Sequence, residues 1–157
     1  MFTVQIDFAL PERFDMEYDG ADNRRHRPMV IHRSSIGCLE RTMAMLIEQY
    51  AGKFPLWLSP VQVKLLIMND SNLDFAKKVK AEFEKNGIRV ELDERSETIQ
   101  RKVRDAQMEK VNYIVTVGDK EVENNALAVR DREGKVTFGV KTADFINDIL
   151  DKVKNYQ

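Results

Sequence analysis

The chain has 157 residues, which is enough for one ordinary domain or for one domain and a fragment of another. Lys and Arg total 25 against 26 Asp and Glu, and this balance argues against a non-specific polyanion binder but allows a local basic face. One cysteine excludes an internal disulfide, and no apolar run is long enough to span a membrane, so we expect a cytoplasmic protein.

The N-terminal part of the chain predicts an incomplete domain. Residues 3–8 alternate apolar and polar side chains, as in a strand, and the apolar run 29–31 predicts a second strand. Residues 10–28 between them are polar and turn-rich. Residues 39–50 have the apolar spacing of an amphipathic helix. Two strands and a helix do not close a core, so the helix is expected to bury its apolar face on another surface or to cause some self-association.

The remainder of the chain predicts a complete α/β domain. Two prolines within 54–60 indicate a boundary, which we place between regions 1–58 and 59–157. Ser71 and Asp74 resemble a capping box at the start of a helix. Strands are predicted at 61–68, 88–92, 113–117, 126–130 and 135–140, with helices after Ser71, over 97–109 and over 145–153. This order predicts an α/β fold with a mixed, largely parallel sheet flanked by helices.

Three ordered stretches carry a resemblance to a known family. They are Gln5–Phe14, Arg27–Arg41 and Phe54–Val63, with shorter matches at Gly87–Val90, Arg104 and Gly118–Glu121. Together they resemble threonyl-tRNA synthetases. The second stretch is similar to motif 3 of that family, and the third resembles the hinge that leads into its anticodon-binding domain.

The resemblance implies both an architecture and an activity. Region 1–58 is expected to be the strand–helix tail of a class II catalytic domain, and region 59–157 an anticodon-binding domain. The intact enzyme would be a homodimeric threonine–tRNA ligase that uses ATP with Mg²⁺ to attach threonine to tRNA(Thr). The alternative is a stand-alone tRNA-binding or nucleic-acid-binding module that serves as an accessory or regulatory subunit. A nucleotide-binding α/β enzyme is disfavoured because no glycine-rich phosphate loop follows a strand.

Four residues in the N-terminal region match catalytic-domain positions of the family. Arg41 corresponds to the arginine that meets the terminal phosphate of ATP. This role suits a guanidinium group, which is permanently charged and can donate two parallel hydrogen bonds to phosphate oxygens. Gly37 would allow the backbone to approach the nucleotide closely. His32 matches one ligand of the zinc ion that selects threonine, and the other ligands would lie upstream of Met1. Gln5 matches a residue near the threonine substrate, although a solvent-facing strand glutamine would look the same.

Four further residues are candidates for contact with the anticodon. Glu121 and Arg130 match positions that read bases, where a carboxylate and a guanidinium supply opposite halves of a hydrogen-bonding code. Ser96 stands where many relatives have asparagine, and its hydroxyl is equally suited to capping the 97–109 helix. Lys110 belongs to a set of cations expected to meet phosphates or to form a solvated helix face: Arg95, Arg101, Lys102, Arg104 and Lys110.

The resemblance also implies a limit on the chain. The arginine of motif 2, which clamps the α-phosphate and the substrate carboxylate, and the motif 1 dimer interface do not appear in the sequence. We therefore expect the chain alone to be inactive as a ligase while it retains anticodon-loop binding.

Overall fold

A computed structural model describes residues 3–157, and the chain divides into two compact units, residues 1–49 (the first unit) and 50–157 (the second unit). The division lies earlier in the chain than the predicted boundary after residue 58. The segment between these two limits, residues 50–58 (the connecting segment), belongs with the second unit. Leu56 is buried there, and its N–H donates to the carbonyl of Gln157 at 3.0 Å. No helix of the described residues is long and apolar enough to cross a membrane.

The first unit consists of short elements. They are β1 (Thr3–Asp7), α1 (Ala9–Arg13), β2 (Tyr18–Asp19), β3 (Arg25–His26), β4 (Val30–Ser34) and α2 (Leu39–Tyr50), which ends at the border of the second unit. β1 pairs with β4 in antiparallel register, and β2 pairs with β3. The helix predicted at 39–50 is confirmed. None of its residues is buried, so its partner surface remains a prediction.

The segment 10–28, predicted only as turns, contains helix α1 and the β2–β3 hairpin. The Asp7 carboxylate starts the helix by accepting hydrogen bonds from the N–H groups of Ala9 and Leu10 at 2.8 and 3.0 Å. Such short elements carry no readable periodicity, because one helical turn or a two-residue strand does not repeat the pattern.

The second unit contains the predicted strands and helices and one additional helix. In order they are β5 (Val63–Ile67), α3 (Leu73–Lys85), β6 (Val90–Asp93), α4 (Ile99–Met108), β7 (Tyr113–Val117), α5 (Asp119–Glu123), β8 (Leu127–Asp131), β9 (Val136–Val140) and α6 (Thr142–Lys154). The sheet order is β6-β5-β7-β8-β9. β5 is parallel to β6 and β7, whereas β8 is antiparallel to β7 and β9. The predicted mixed α/β fold is confirmed.

Helices cover the two faces of this sheet differently. Alternate residues of β5 from Val63 to Ile67 join the main core, which includes residues of α3 and α6. Leu66 points to the other face and packs with Ala106 of α4 and Ile114 of β7. α4 therefore lies over β5 and β7, and the neighbouring β8 and β9 extend the sheet beyond it.

The capping box predicted at the start of α3 is wrong. A short 3₁₀ turn, Asp70–Asn72, precedes α3. The N-cap residue of α3 is Asn72, which has helical backbone angles and makes no side-chain cap bond. The helix is held instead by the burial of Ala76, Val79 and Phe83. Tertiary packing, rather than capping, sets where this helix lies.

Truncation of a central aromatic residue tests the main core. Phe83 is fully buried and packs edge-on against Phe145 with ring centroids 5.9 Å apart. Phe83→Ala is expected to reduce the free energy of unfolding of the second unit by about 3–5 kcal/mol, because it leaves a cavity. Urea unfolding followed by the fluorescence of Trp57, the only tryptophan, measures the change. The exposed neighbour Glu84→Ala should change it by less than about 0.5 kcal/mol, and equal effects of the two would contradict the assignment of the core.

Candidate nucleic-acid interface

An open trough lies on the face of the sheet beside α4. Its volume is about 420 Å³. Apolar side chains form most of its lining, and four polar residues join them at separate points. The lining residues are Met68, Ile99, Val103, Ala128, Val136 and Phe138, with Gln100, Thr116, Glu121 and Arg130. A mainly apolar depression with a few placed polar groups is the usual form of a ligand site.

Glu121 is held at the start of helix α5. Its Oε2 accepts a hydrogen bond from the N–H of Gly118 at 3.0 Å. A Cβ at Gly118 would lie 2.7 Å from the Met68 sulfur, so a side chain there would displace the exposed Met68 side chain. Within the described chain, Gly118 is the only hydrogen-bond partner of the Glu121 carboxylate, which leaves Oε1 free to accept from a ligand.

Arg130 enters the trough from β8. It stands opposite Ile114 of β7 and Val136 of β9, and its Nη1 donates to the carbonyl of Gly134 at 3.1 Å. That contact orients the guanidinium, whose other N–H groups remain available as donors. Glu121 follows the end of β7 at Val117. The three residue steps along β7 from Ile114 to Val117 correspond to about 10 Å.

Two members of the predicted basic cluster are held by groups of the protein itself, which corrects the expectation that the whole cluster faces phosphates or solvent. Lys102 is only 3% exposed, and its Nζ donates to the carbonyls of Ile67 and Asp93 at 3.2 and 3.4 Å. Arg95 is bound to the carboxylates of Asp93 at 2.7 Å and Asp105 at 3.0 Å. These contacts join the carboxyl ends of β5 and β6 to α4, next to the trough.

The remaining two members of the cluster on α4 are exposed. Arg101 pairs with Glu97 at 3.2 Å, and Arg104 takes part in no ion pair with a described residue. Exposed pairs of this kind contribute little to stability and are easily exchanged. Arg101 and Arg104 therefore remain the members best placed to meet phosphates.

Ser96 and Lys110 lie outside the trough. Ser96 is exposed in the bend between β6 and α4, and the N-cap of α4 is Thr98, whose hydroxyl accepts from the N–H of Arg101 at 3.4 Å. The capping role considered for Ser96 is thus wrong. Lys110 follows the opposite end of α4 and donates to the carbonyl of Ala51, so it is not brought together with the other candidates.

In the first unit, the structure brings two predicted residues together. Gln5 on β1 is directly opposite His32 on β4, so both side chains project from the same face. His32 Nε2 lies 3.2 Å from Asp7 Oδ2. Hydrogen bonds to the Asp7 carboxylate, first that from the N–H of Leu10 and also that from His32, lower its pKa.

These residues do not by themselves form a zinc site. Among the described residues, no group of three or more His, Cys, Asp and Glu side chains is arranged to hold a metal ion. One histidine and one carboxylate fall short of the ligands that zinc requires. Ligation of zinc by His32 therefore depends on residues that the chain does not contain.

Gly37 and Arg41 flank the start of α2. Gly37 has a φ of 84°, a left-handed conformation that favours glycine, and its N–H donates to the Ser34 hydroxyl at 2.8 Å. Arg41 is exposed in the first turns of the helix and makes no ion pair with a described residue. This geometry agrees with a nucleotide contact and equally with a solvated helix face.

Sequence reasoning missed most of the trough lining. Met68 and Phe138 are 51% and 73% exposed, yet both are large and apolar. A signal was present at Phe138, which stands between Thr137 and Gly139 in a strand-like pattern. Its significance depends on Arg130 and Glu121, which the fold brings to the same face.

Comparison with known proteins connects both units to one class of protein. A family described as "Anticodon binding domain" matches residues 62–152, and one described as "tRNA synthetase class II core domain (G, H, P, S and T)" matches residues 1–50. Threonine–tRNA ligases of Desulfatibacillum aliphaticivorans and Desulforapulum autotrophicum are 52% and 50% identical over 97% and 99% of this chain. The chain spans only 24% of each, about a quarter of their length.

A solved structure shows the same relationship. The RNA-binding domain of threonyl-tRNA synthetase from Cryptosporidium parvum matches with a TM-score of 0.72 and 30% identity over 96% of this chain and 38% of that one.

The Asp93–Arg95 pair predicts a dependence of stability on pH. The hydrogen bond from Arg95 is the main cause that lowers the pKa of Asp93 below its usual 3.8. The carboxylate therefore stabilises the second unit above pH 3.8, and this contribution is lost as pH falls through the lowered value. Asp93→Asn is expected to be less stable than wild type at neutral pH, by a difference that shrinks on acidification.

Unfolding titrations between neutral and strongly acidic pH, followed by Trp57 fluorescence, measure this difference. The exposed Asp151→Asn is the matched control and should show no comparable convergence. A difference between Asp93→Asn and wild type that stays constant down to the lowest pH would rule out the ion pair as its source.

Proposed function

This chain belongs to the anticodon-binding domain family, and from that premise we propose that it is the C-terminal portion of a threonine–tRNA ligase whose second unit reads the anticodon of tRNA(Thr). One observation carries the proposal: Glu121 and Arg130, a half-buried acceptor and a half-buried donor, line the same apolar trough. The relationship to threonine–tRNA ligases over nearly the whole chain supports this choice of tRNA.

The chemistry of the trough suits unpaired bases. Bases of a single-stranded loop expose their hydrogen-bonding edges, and protein side chains read these edges directly. The free Oε1 of Glu121 can accept from an amino or imino group, whereas Arg130 can donate to ring nitrogens and carbonyl oxygens. Since about 10 Å of strand separates their levels, we assign the two residues to different nucleotides.

The first unit would contribute to the active site of the intact enzyme. We propose that Arg41 contacts the phosphates of ATP, held with Mg²⁺, and that Gly37 allows close approach of the nucleotide. Gln5 and His32, which share one face of the β1–β4 pair, would line the threonine site. His32 would supply one ligand to a zinc ion that, when bound, holds the amino and hydroxyl groups of threonine. The match of residues 1–50 to the class II core favours this function over that of an accessory subunit.

Binding of an anticodon stem-loop tests the proposal. Fluorescence anisotropy at fixed salt should show that the chain prefers the threonine anticodon stem-loop to one with a scrambled anticodon. Glu121→Gln and Arg130→Lys are each expected to reduce this preference by about 5- to 100-fold, because a base edge loses a matched partner. Glu123→Gln, an exposed change on the same helix, is the matched control and should have no effect. Equal binding of wild type to both stem-loops would contradict the proposal.

Ligase activity is expected only from the intact enzyme. The chain lacks the arginine that motif 2 provides, so the purified chain should catalyse no threonine-dependent exchange of pyrophosphate into ATP. Exchange above the level of a threonine-free control, abolished by Arg41→Ala, would show that the chain carries a complete activation site and would overturn this expectation.

A further inference from the structure

We infer that Phe138 is a stacking platform for one unpaired base of the loop that the trough binds, an inference that rests on the proposed function. Phe138 lies in the middle of β9 and is 73% exposed. An aromatic side chain in this position costs solubility, because edge strands with exposed apolar groups promote association. The core does not account for it, since Phe138 lines the trough instead.

Phe138 and Val140 of β9 face opposite sides of the sheet. In a regular strand, Val136, Phe138 and Val140 would share one face. Val136 and Phe138 both line the trough, but Val140 packs against the main core on the opposite face. The change of side coincides with an irregularity in the β8–β9 pairing and with Gly139, whose φ is 71°. Irregularities of this kind re-aim side chains and are common beside functional sites.

The strand pairing places Phe138 beside a low part of the trough floor, between the levels of the polar residues Glu121 and Arg130. Val129 pairs with Thr137 and Leu127 pairs with Val140, so at the irregularity two residues of β9, Phe138 and Gly139, stand against the single residue Ala128 of β8. Ala128 also stands opposite Thr116 of β7, and Ile99 and Val103 of α4 contribute to the lining. Because the side chain of Ala128 is small, the floor of the trough is low at this point, and the ring of Phe138 lies along its outer side.

A nucleobase is the occupant that fits both the ring and the anchors. Its face is a flat apolar surface that stacks on an aromatic side chain, and the edges of the loop bases carry the donors and acceptors that Glu121 and Arg130 complement on separate nucleotides. Stacking depends little on which base is present, because every base has a π-face. Phe138 should therefore supply affinity, and Glu121 and Arg130 selectivity.

Substitutions at Phe138 separate stacking from apolar contact. Phe138→Leu keeps an apolar side chain without a ring and should weaken stem-loop binding about tenfold, equally for the threonine and scrambled anticodons. Phe138→Trp should bind at least as tightly as wild type. The matched control is Tyr156→Leu, which removes an aromatic ring that is 75% exposed but lies outside the trough, and it should leave binding unchanged.

A double-mutant cycle with the RNA identifies the stacked base. Stem-loops with a single abasic site at each loop position in turn are titrated with wild type and with Phe138→Leu. At one position the abasic site should abolish the effect of Phe138→Leu, because the ring has then lost its partner. An effect that persists with every abasic stem-loop, or no effect with any stem-loop, would overturn the inference.

The results also distinguish this inference from the proposed function. A wild-type preference for the threonine anticodon that Glu121→Gln reduces, together with unchanged binding by Phe138→Leu, would refute stacking alone. No preference in wild type would refute the anticodon proposal and the stacking inference with it.

Discussion

The second unit depends on the burial of strand β5 between two parallel neighbours. All five of its residues are buried, and it pairs with β6 on one side and β7 on the other. Parallel neighbours require crossover connections, which α3 and α4 provide. The crossovers cover β5 on both faces, with Leu66 against α4 and its alternate residues in the main core. The antiparallel β8 and β9 need no crossover, so they extend the sheet beyond α4 and form the floor and outer side of the trough.

Several cations of the second unit donate to backbone carbonyls. Lys102 binds the carbonyls of Ile67 and Asp93. Arg89 donates to the carbonyls of Ser59 and Trp57 at 2.7 and 2.9 Å, and Arg132 donates to those of Phe54 and Lys110 at 3.0 and 2.9 Å. These contacts attach the connecting segment to the second unit and join its strand ends. On α4, Lys102 is therefore internal, and the exposed cations of the helix are Arg101 and Arg104.

Selectivity and affinity have separate structural sources in this interpretation. Glu121 and Arg130 are each oriented by one backbone contact, to Gly118 and to Gly134, which leaves the rest of each side chain for a ligand. Groups oriented in advance lose less entropy on binding. The apolar lining and Phe138 provide contact surface that does not distinguish one base from another. Both sets converge because Phe138 follows Val136 by two residues on β9 and so lies on the face that carries Arg130, before the irregularity returns Val140 to the core.

The sequence by itself determined the order of most strands and helices, the mixed α/β fold and the family, since these follow from local periodicity and from ordered motifs. It also singled out Glu121 and Arg130. The short elements α1 and α5, the absence of a capping box at Ser71 and the N-cap at Thr98 were decided by contacts that periodicity does not record. Only the tertiary structure showed that Lys102 is internal and that Phe138 lies beside Ala128. Both depend on partners distant in the chain, and the environment of a side chain is set by the elements packed around it.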